Sequence, residues 1–321
     1  MLNLNSQNKS LFFRGFWQEL ISICYSYYRK ATISPAWLIM SIFGRFSTIR
    51  IAINSLRKKT ITHRYDVSKS ILSPLDTTIA VQALKTDGLF LGINLPVDIR
   101  KEILKFAISH ECYGDSNPSL GFKIFQKQQV EAKINIVFNK AQYFNTSYLC
   151  PTIQKIVDDP ILLEIASQYL ETEPIFTGSR LWWIFAVDDI HYDPRQTVSY
   201  YHYDLDDYSC VRFFFYLTDV DIHSGPHICI RGSHHQKKIT HVIFPFKRRT
   251  DEEIAEAYGK ENIVTICGQA GFGFAEDTIC YHKAERPLEK DRLILQIQYA
   301  GKNYGNHNDI MDTQYLKTIL D

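Results

Sequence analysis

Apolar residues between positions 210 and 300 fall into short runs separated by turn-forming residues. The stretch VRFFFYLTDVD is aromatic and β-branched, as is typical of a strand, and IHSGPHICIRGSHH follows with turns at Gly225 and Gly232 around a short strand. Next, GFGFAEDTICYHKAERPLEKDRLILQIQYA predicts a strand that ends at His282, a polar turn and a strand that begins at Arg292. We interpret this order as a β-meander with polar residues at its strand ends.

The strand predicted from Arg292 onwards has two unlike faces. Side chains alternate along a strand, so every second residue lies on the same side of the sheet. One face carries Arg292, Ile294, Gln296 and Gln298, and the other carries Leu293, Leu295, Ile297 and Tyr299. The first face is polar enough to line a pocket, whereas the second is suited to a hydrophobic core.

Two apolar segments near the N-terminus, LFFRGFWQELISICYSYY and PAWLIMSIFGRFSTIRIAINSLRKK, predict helices with bulky apolar faces. Residues 1–60 contain nine Lys or Arg and one acid, a net charge of +8, and because the whole chain carries +1 the remainder carries −7. Neither segment fits a signal peptide or a membrane-spanning helix, because charges or Pro35 interrupt the apolar runs. Two readings remain open: a helical extension packed on the core, or a peripheral contact of residues 1–60 with a membrane or an acidic partner.

Composition favours an intracellular enzyme. With 321 residues and 45% hydrophobic content, the chain can bury one large core. Its seven Cys are an odd number and lack CxxC spacing, which predicts reduced thiols and a cytoplasmic location. Peripheral attachment to the inner face of a membrane is the variant of this location that the basic N-terminal segment leaves open. There is no phosphate-binding glycine loop, and we expect no nucleic-acid partner.

The residues with the clearest chemistry are His202 and Asp204 in SYYHYDLDDYS, together with His282. Because His202 and Asp204 are two apart, they point the same way on a strand. A distant His would complete a set of two imidazoles and one carboxylate, which can hold non-haem Fe(II) with positions left open. A single His in an apolar stretch is more often a packed core residue, so the pair alone is weak evidence. The neighbouring cluster His223, His227, His234 and His235 lacks Cys partners at zinc spacing and is interpreted as turn and pocket-rim residues.

In this order and spacing the motifs resemble the phytanoyl-CoA dioxygenase family of Fe(II)/2-oxoglutarate-dependent oxygenases. The resemblance covers roughly residues 78–302: ALKTDGLFLGINLPVDIRKEILKFA, then FFFYLTDVDIHSGPHICIRGSHH, then the His282 and Arg292 strands. One departure is Arg231 in IRGSHH, where the family usually has Pro. The resemblance implies a mainly β fold with flanking helices, a double-stranded β-helix (jelly roll, cupin-like), preceded by the basic N-terminal helical segment. The expected divisions are residues 1–75, 76–305 and a C-terminal tail at 306–321.

The resemblance also implies the site. Iron would be held by His202, Asp204 and His282, and Arg292 would bind the far carboxylate of the cosubstrate 2-oxoglutarate. The alternative for Arg292 is a surface salt bridge with Glu289 or Asp291. Further candidates are Tyr216 and Thr218 for the cosubstrate, and, for the substrate pocket, Arg180, Trp182, Trp183, Tyr201 and Gln298. Trp182 and Trp183 are expected on opposite faces of a strand, with one in the core.

The expected activity is a dioxygenase that hydroxylates a C–H bond and releases succinate and CO2. Related halogenases have a small residue at the carboxylate position, so Asp204 favours hydroxylation. The substrate is expected to be a small molecule, with lipids and lipid-linked glycans among the candidates. Two alternatives stay open: a non-oxygenase cupin-like metalloenzyme, such as an isomerase or epimerase, and a non-catalytic membrane-associated binding protein.

Overall fold

The computed structural model describes residues 24–57, 61, 63–244, 248–305, 307 and 309–320. Of the two helices predicted near the N-terminus, the first therefore lies largely outside the described residues. The helices are α1 at residues 24–33, α2 (Pro35–Phe43), α3 (Ser47–Leu56), α4 (Thr77–Asp87), α5 (Val97–Ser109), α6 (Lys127–Ile134), α7 (Thr146–Leu149), α8 (Pro151–Val157), α9 (Pro160–Leu170), α10 (Pro194–Thr197), α11 (Ile239–Ile243) and α12 (Asp251–Tyr258). The strands are β1 (Leu89–Leu91), β2 (Glu111–Gly114), β3 (Gly121–Lys123), β4 (Lys140–Tyr143), β5 (Ile175–Ile184), β6 (Cys210–Tyr216), β7 (His227–Ile230), β8 (Ile263–Ile266), β9 (Gly273–Glu276), β10 (His282–Ala284) and β11 (Arg292–Ala300).

The strands form two antiparallel sheets that enclose a common interior. The large sheet has the order β1-β9-β6-β11-β5-β4-β2-β3, and the small sheet has the order β10-β7-β8. His227 on β7 reaches across the interior, with its ring 5.3 Å from that of Phe214 on β6 and 5.2 Å from that of Phe274 on β9. From β6 to β11 the chain passes between the sheets rather than along one of them. This winding is a jelly roll, as predicted.

The β-meander interpretation was wrong in its pairing. Only β7 and β8 are consecutive neighbours in this part of the chain, whereas β6 pairs with β9 and β11. His282 also opens β10 instead of closing the preceding strand. Turn residues show where a strand stops, but the partner of each strand is decided by packing between the sheets.

The two faces of β11 are placed as its alternation predicts. Leu293, Leu295, Ile297 and Tyr299 belong to the main hydrophobic core, which lies between the large sheet and helices that include α4, α5, α8 and α9. Arg292, Ile294 and Gln296 face the interior between the sheets. Several aliphatic side chains from these helices are fully buried in the core, among them Leu84, Ile103, Ile153 and Ile165. The large sheet therefore separates a hydrophobic core from a partly polar cavity.

The N-terminal helices pack on the barrel through a few specific contacts. Trp37 and Met40 of α2 are buried against Tyr304. Arg50 of α3 donates to the His234 carbonyl, and the Arg57 guanidinium donates to Asp207 at 2.8 Å. Residues 24–57 thus pack on the barrel, while the division of the chain into residues 1–75, 76–305 and 306–321 stays a prediction. Among the described residues, no helix has the length and apolar character needed to cross a membrane. All seven cysteines are described and are free thiols.

Candidate metal site and cavity

His202 and His282 are brought together by an isolated bridge that extends the small sheet beyond β10. Each backbone N–H donates to the carbonyl of the other residue, at 3.0 and 2.9 Å, and the two ring centroids lie 4.3 Å apart. Each ring also has Nδ1 at 3.0 Å from a carbonyl, that of Tyr200 for His202 and that of Cys280 for His282. A carbonyl only accepts, so Nδ1 carries the proton in both rings. Both Nε2 atoms are therefore left as acceptors, which is the form that binds a metal ion.

Asp204 completes the cluster. Its backbone N–H donates to the Thr278 carbonyl at 2.8 Å, which fixes the segment after His202 against the β9–β10 connection. The Asp204 Oδ1 lies 4.0 Å from the His202 Nε2, and its Oδ2 lies 3.8 Å from the His282 Nε2. Ligand atoms that are each about 2.0–2.2 Å from one ion can be separated by up to about 4.4 Å, so each of these oxygens is close enough to its imidazole to share an ion with it. The three ligand atoms lie within 4.8 Å of one another, and this is the cluster of the described residues that could hold a metal ion.

The protonation states suit metal binding. Desolvation raises the pKa of Asp204, but Arg212 and then the two imidazoles outweigh it and hold that pKa well below its usual range. Burial, followed by the charge of His202, lowers the pKa of His282 to about 3. At neutral pH the site therefore offers an ionised carboxylate and a neutral imidazole. These are the forms that coordinate a divalent cation.

Arg212 on β6 is a site residue that the sequence analysis missed. Its guanidinium donates to Oδ2 of Asp204 and to Oδ2 of Asp206, and its Nε donates to Gln298 at 2.8 Å. The guanidinium thus engages Oδ2, the oxygen 3.8 Å from the His282 Nε2, and leaves Oδ1, 4.0 Å from the His202 Nε2, without this bond. A signal was present in the sequence: Arg212 interrupts an aromatic strand and shares its inward face with Phe214 and Tyr216.

Two buried ionisable residues that the sequence analysis did not connect, Glu276 and His227, form a pair behind His282. Glu276 on β9 is fully buried, with Oε2 at 2.6 Å from Nε2 of His227 and Oε1 at 3.4 Å from Nδ1 of His282. Burial raises the pKa of Glu276 well above its usual value and lowers the pKa of His227. Both shifts favour the neutral forms of the two groups as they pack against the His282 ring. The expectation that His227 belongs to a turn was wrong, because it opens β7 and lines the cavity.

The cluster opens into a cavity between the two sheets; its empty space, counted together with the solvent at its open mouth, is about 690 Å³. Arg292 lies in its wall with only 2% of its surface exposed. Its Nη1 donates to the Gly225 carbonyl, its guanidinium carbon lies 5.9 Å from the Tyr216 ring centroid, and its Nε is buried without a partner. No carboxylate of the described residues pairs with it. The alternative of a surface salt bridge was wrong: Asp291 instead accepts from the N–H of Ala186 at 2.8 Å.

Some of the other predicted pocket residues line the cavity, and others lie on the opposite face of their sheet. Arg180 and Trp182 line the cavity with His202, Asp204 and His282. Trp183 was wrongly assigned to the pocket, because it packs on the core side of β5 and donates to the Tyr143 hydroxyl at 3.1 Å. Tyr201 was also wrongly assigned, since it is buried with Ile228, Ile230, Ile254 and Tyr281 on the outer face of the small sheet.

Three further candidates lie next to the cavity rather than in its wall. Gln298 is bonded to Arg212 and lines a neighbouring cavity of about 610 Å³. The Tyr216 hydroxyl donates to the Ile266 carbonyl at 2.8 Å and accepts from the N–H of His227 at 3.0 Å. The Thr218 hydroxyl accepts from the N–H of Leu293 at 3.1 Å. Tyr216 and Thr218 therefore support the strands, and we withdraw them as cosubstrate ligands.

No protein-family model matches the sequence, and no curated protein matches it significantly. Solved structures do show a likeness. The epimerase SnoN in complex with Fe3+, alpha ketoglutarate and nogalamycin RO is 13% identical, with 72% of this chain and 87% of that chain covered and a TM-score of 0.49. HygX from Streptomyces hygroscopicus, with nickel and 2-oxoglutarate bound, is 13% identical with 71% and 87% covered and a TM-score of 0.49. EctD from S. alaskensis, with 2-oxoglutarate and 5-hydroxyectoine, is 14% identical with 71% and 77% covered and a TM-score of 0.47.

With such low identities and TM-scores below 0.5, these likenesses carry no inference about the chemistry of this chain. The jelly roll rests on the strand order, and the candidate site rests on its own residues. The resemblance of the sequence to the phytanoyl-CoA dioxygenase family stays a prediction.

Proposed function

We propose that this protein is an Fe(II)- and 2-oxoglutarate-dependent dioxygenase that hydroxylates a C–H bond of a small-molecule substrate. The observation that carries the proposal is the joint presence, in one cavity, of the His202, Asp204 and His282 cluster and the buried Arg292, which pairs with no carboxylate of the described residues. Two imidazoles and one carboxylate suit Fe(II) and leave open positions for a chelating keto acid. When bound, the iron would supply the chemistry that uses O2: one oxygen atom would enter succinate as 2-oxoglutarate loses CO2, and the other would hydroxylate the substrate C–H bond.

The chain itself supplies orientation and charge. His202, Asp204 and His282 would be the iron ligands, and Asp204 is kept ionised and oriented by Arg212. Arg292 would bind the far carboxylate of 2-oxoglutarate, since a guanidinium can hold a carboxylate through two parallel hydrogen bonds. A buried cation is costly without a counter-ion, so an anionic cosubstrate fits this position. Trp182 and Phe214 in the same cavity give the bound molecules apolar surfaces to pack on.

We expect purified protein to convert 2-oxoglutarate to succinate only when Fe(II) is present. Conversion should be slow without substrate and faster when a suitable compound is added from panels of lipids, glycolipids and amino-acid derivatives. Succinate is measured against protein from which iron has been removed by a chelator. Tight metal binding with no effect of 2-oxoglutarate on any compound would contradict the proposal and favour an isomerase-type metalloenzyme.

We further propose a peripheral contact of the N-terminal helices with an anionic membrane, which would bias the substrate towards lipids or lipid-linked glycans. The support is an apolar stripe on the outer face of α2, where Ile39, Ile42 and Phe43 are exposed at 57%, 46% and 48%. Residues 24–57 also contain five Lys or Arg and no acid. Apolar side chains that enter the interface and cations near anionic lipids both favour such binding.

A triple variant of the stripe, Ile39→Ser, Ile42→Ser and Phe43→Ser, should weaken binding to anionic vesicles by at least about tenfold, because it removes the apolar surface that α2 would insert. Binding is measured by co-sedimentation of the full chain with anionic and neutral vesicles at low and high salt. A matched control replaces three exposed isoleucines elsewhere by Ser, namely Ile190, Ile222 and Ile239. Equal binding by both variants, or no binding of the unaltered chain at low salt, would contradict the membrane contact.

A further inference from the structure

Arg180 on β5 occupies the cavity wall at a distance from Arg292. In the register of the large sheet Arg292 pairs with Ile184, whereas Arg180 pairs with Gln296. The two arginines are therefore separated by four residues along the sheet, roughly 13 Å between backbone positions. Arg180 also lines the neighbouring cavity of about 610 Å³, which shares Arg212 and Gln296 with the cavity of the candidate metal site. It stands where the two cavities meet.

The Arg180 guanidinium has no ion-pair partner among the described residues. Its Nη2 donates to the Gln142 Oε1 over 3.5 Å, its guanidinium carbon lies 5.2 Å from the Trp182 ring centroid, and its Nε is buried without a partner. Three carboxylates lie nearby but are engaged elsewhere: Asp204 and Asp206 with Arg212, and Asp309 with the N–H of Ser179. Trp182 and Gln142 hold the group in place but do not compensate its charge.

A second cation, Lys140 on β4, lines the same cavity. Its ammonium forms no hydrogen bond or ion pair within the described part of the chain, and burial, followed by the charge of Arg180, lowers its pKa to about 8. The charges in the cavity can now be summed for the state with iron and 2-oxoglutarate bound. With Fe(II), Asp204, dianionic 2-oxoglutarate and Arg292 the charges cancel, and Arg212 is balanced by Asp206. Among the charged groups that line this cavity, Arg180 and Lys140 are then left without a paired carboxylate. The nearest acids not yet counted, Asp309 near Arg180 and Asp115 and Asp193 near Lys140, are not part of its lining.

We propose that Arg180, with Lys140 adding positive potential, binds an oxyanion of the substrate, either a carboxylate or a phosphate. This inference rests on the proposed function, because it takes the charge of Arg292 to be used by the cosubstrate. The apolar part of the substrate would lie against Trp182, Phe214 and Ile294, which line the cavity. Its remainder would extend into the neighbouring cavity, whose wall includes Trp37 of α2. The substrate class is therefore an anion with an apolar portion.

The test uses hexanoate and hexyl phosphate as probes, with 1-hexanol as the uncharged control. Each is titrated calorimetrically, without oxygen, into the full chain loaded with Fe(II) and saturating 2-oxoglutarate. We expect both anions to bind and hexanol to bind much more weakly. Arg180→Met should weaken anion binding by at least about tenfold, the range for loss of a charge-assisted hydrogen bond, while the affinity for 2-oxoglutarate stays within about twofold. Arg180→Lys should recover part of the loss, and Arg231→Met, a change at an exposed arginine, should have no effect.

The outcomes separate this inference from the proposed function. If 2-oxoglutarate binds normally but hexanol binds as well as the anions, or Arg180→Met leaves anion binding unchanged, the oxyanion site is overturned and the oxygenase proposal stands. If Arg180→Met abolishes binding of 2-oxoglutarate, Arg180 belongs to the cosubstrate site and the inference also fails. If the unaltered chain binds neither Fe(II) nor 2-oxoglutarate, both proposals fall. A preference for hexanoate or for hexyl phosphate supports the inference and identifies the oxyanion.

Discussion

Replacement of His202 by Ala is expected to abolish Fe(II) binding while the protein stays folded. The change removes one of three ligands, and loss even of groups that only orient a ligand costs about 10- to 100-fold in metal affinity, so we expect a loss above about 100-fold. The backbone bonds between His202 and His282 do not involve the imidazole, so the bridge can persist in the variant. Iron content after dialysis and circular dichroism measure the two properties separately.

The matched control for this variant is His241→Ala. His241 is also buried, but its Nδ1 is 3.0 Å from the Tyr258 hydroxyl and it does not line the cavity. It should keep full iron binding. If His202→Ala retains iron at the unaltered affinity, or if His241→Ala loses it equally, the assignment of the three ligands is wrong.

Replacement of Arg292 by Leu is expected to weaken 2-oxoglutarate binding by about 2–5 kcal/mol, because the far carboxylate would be buried without its cation. That free energy corresponds to a loss of about 30-fold to several thousand-fold in affinity. Metal binding should change little, since Arg292 contacts the Gly225 carbonyl and the Tyr216 ring rather than the metal cluster. Calorimetric titration of 2-oxoglutarate into the metal-loaded variant measures the effect.

Two further variants test whether the effect depends on the charge and shape of the Arg292 guanidinium. Arg292→Lys keeps the charge but loses the two-pronged geometry, so its affinity should lie between those of the unaltered protein and Arg292→Leu. Arg231→Leu, at an exposed arginine, should bind 2-oxoglutarate normally. Unchanged affinity in Arg292→Leu would remove Arg292 from the cosubstrate site and return a cupin-like metalloenzyme as the better hypothesis.

Local periodicity predicted those parts of the structure that depend on neighbours in the chain. The alternation along β11 placed Arg292 and Leu293 on opposite sides of the sheet, and the spacing of His202 and Asp204 placed both side chains in one cluster. In the same way, Trp182 and Trp183 lie on opposite faces, although periodicity could not tell which one faces the cavity. The period of a strand is a local property, so it can be read without knowing the partners of that strand.

What could not be predicted depends on residues far apart in the chain. The contact of Arg212 with Asp204 needs β6 to lie beside the segment after His202, and the contact of Glu276 with His227 needs the two sheets to face each other. The meander interpretation failed for the same reason, because strand partners were assigned by proximity in sequence. Tyr201 was misplaced because the outer face of the small sheet is covered by Ile254 of α12, a helix in the insertion between β7 and β8.

The bridge between His202 and His282 also bears on how the molecule folds. These residues are 80 positions apart, and the intervening chain forms β6 to β9. Contacts that close long loops form slowly, because their entropic cost is met before the contact contributes. The two imidazoles therefore meet only after the chain from β6 to β9 has formed and returned to His202. A chain without this closure offers no three-ligand set, so a metal ion that binds the set would stabilise the closed barrel over one in which the bridge is open.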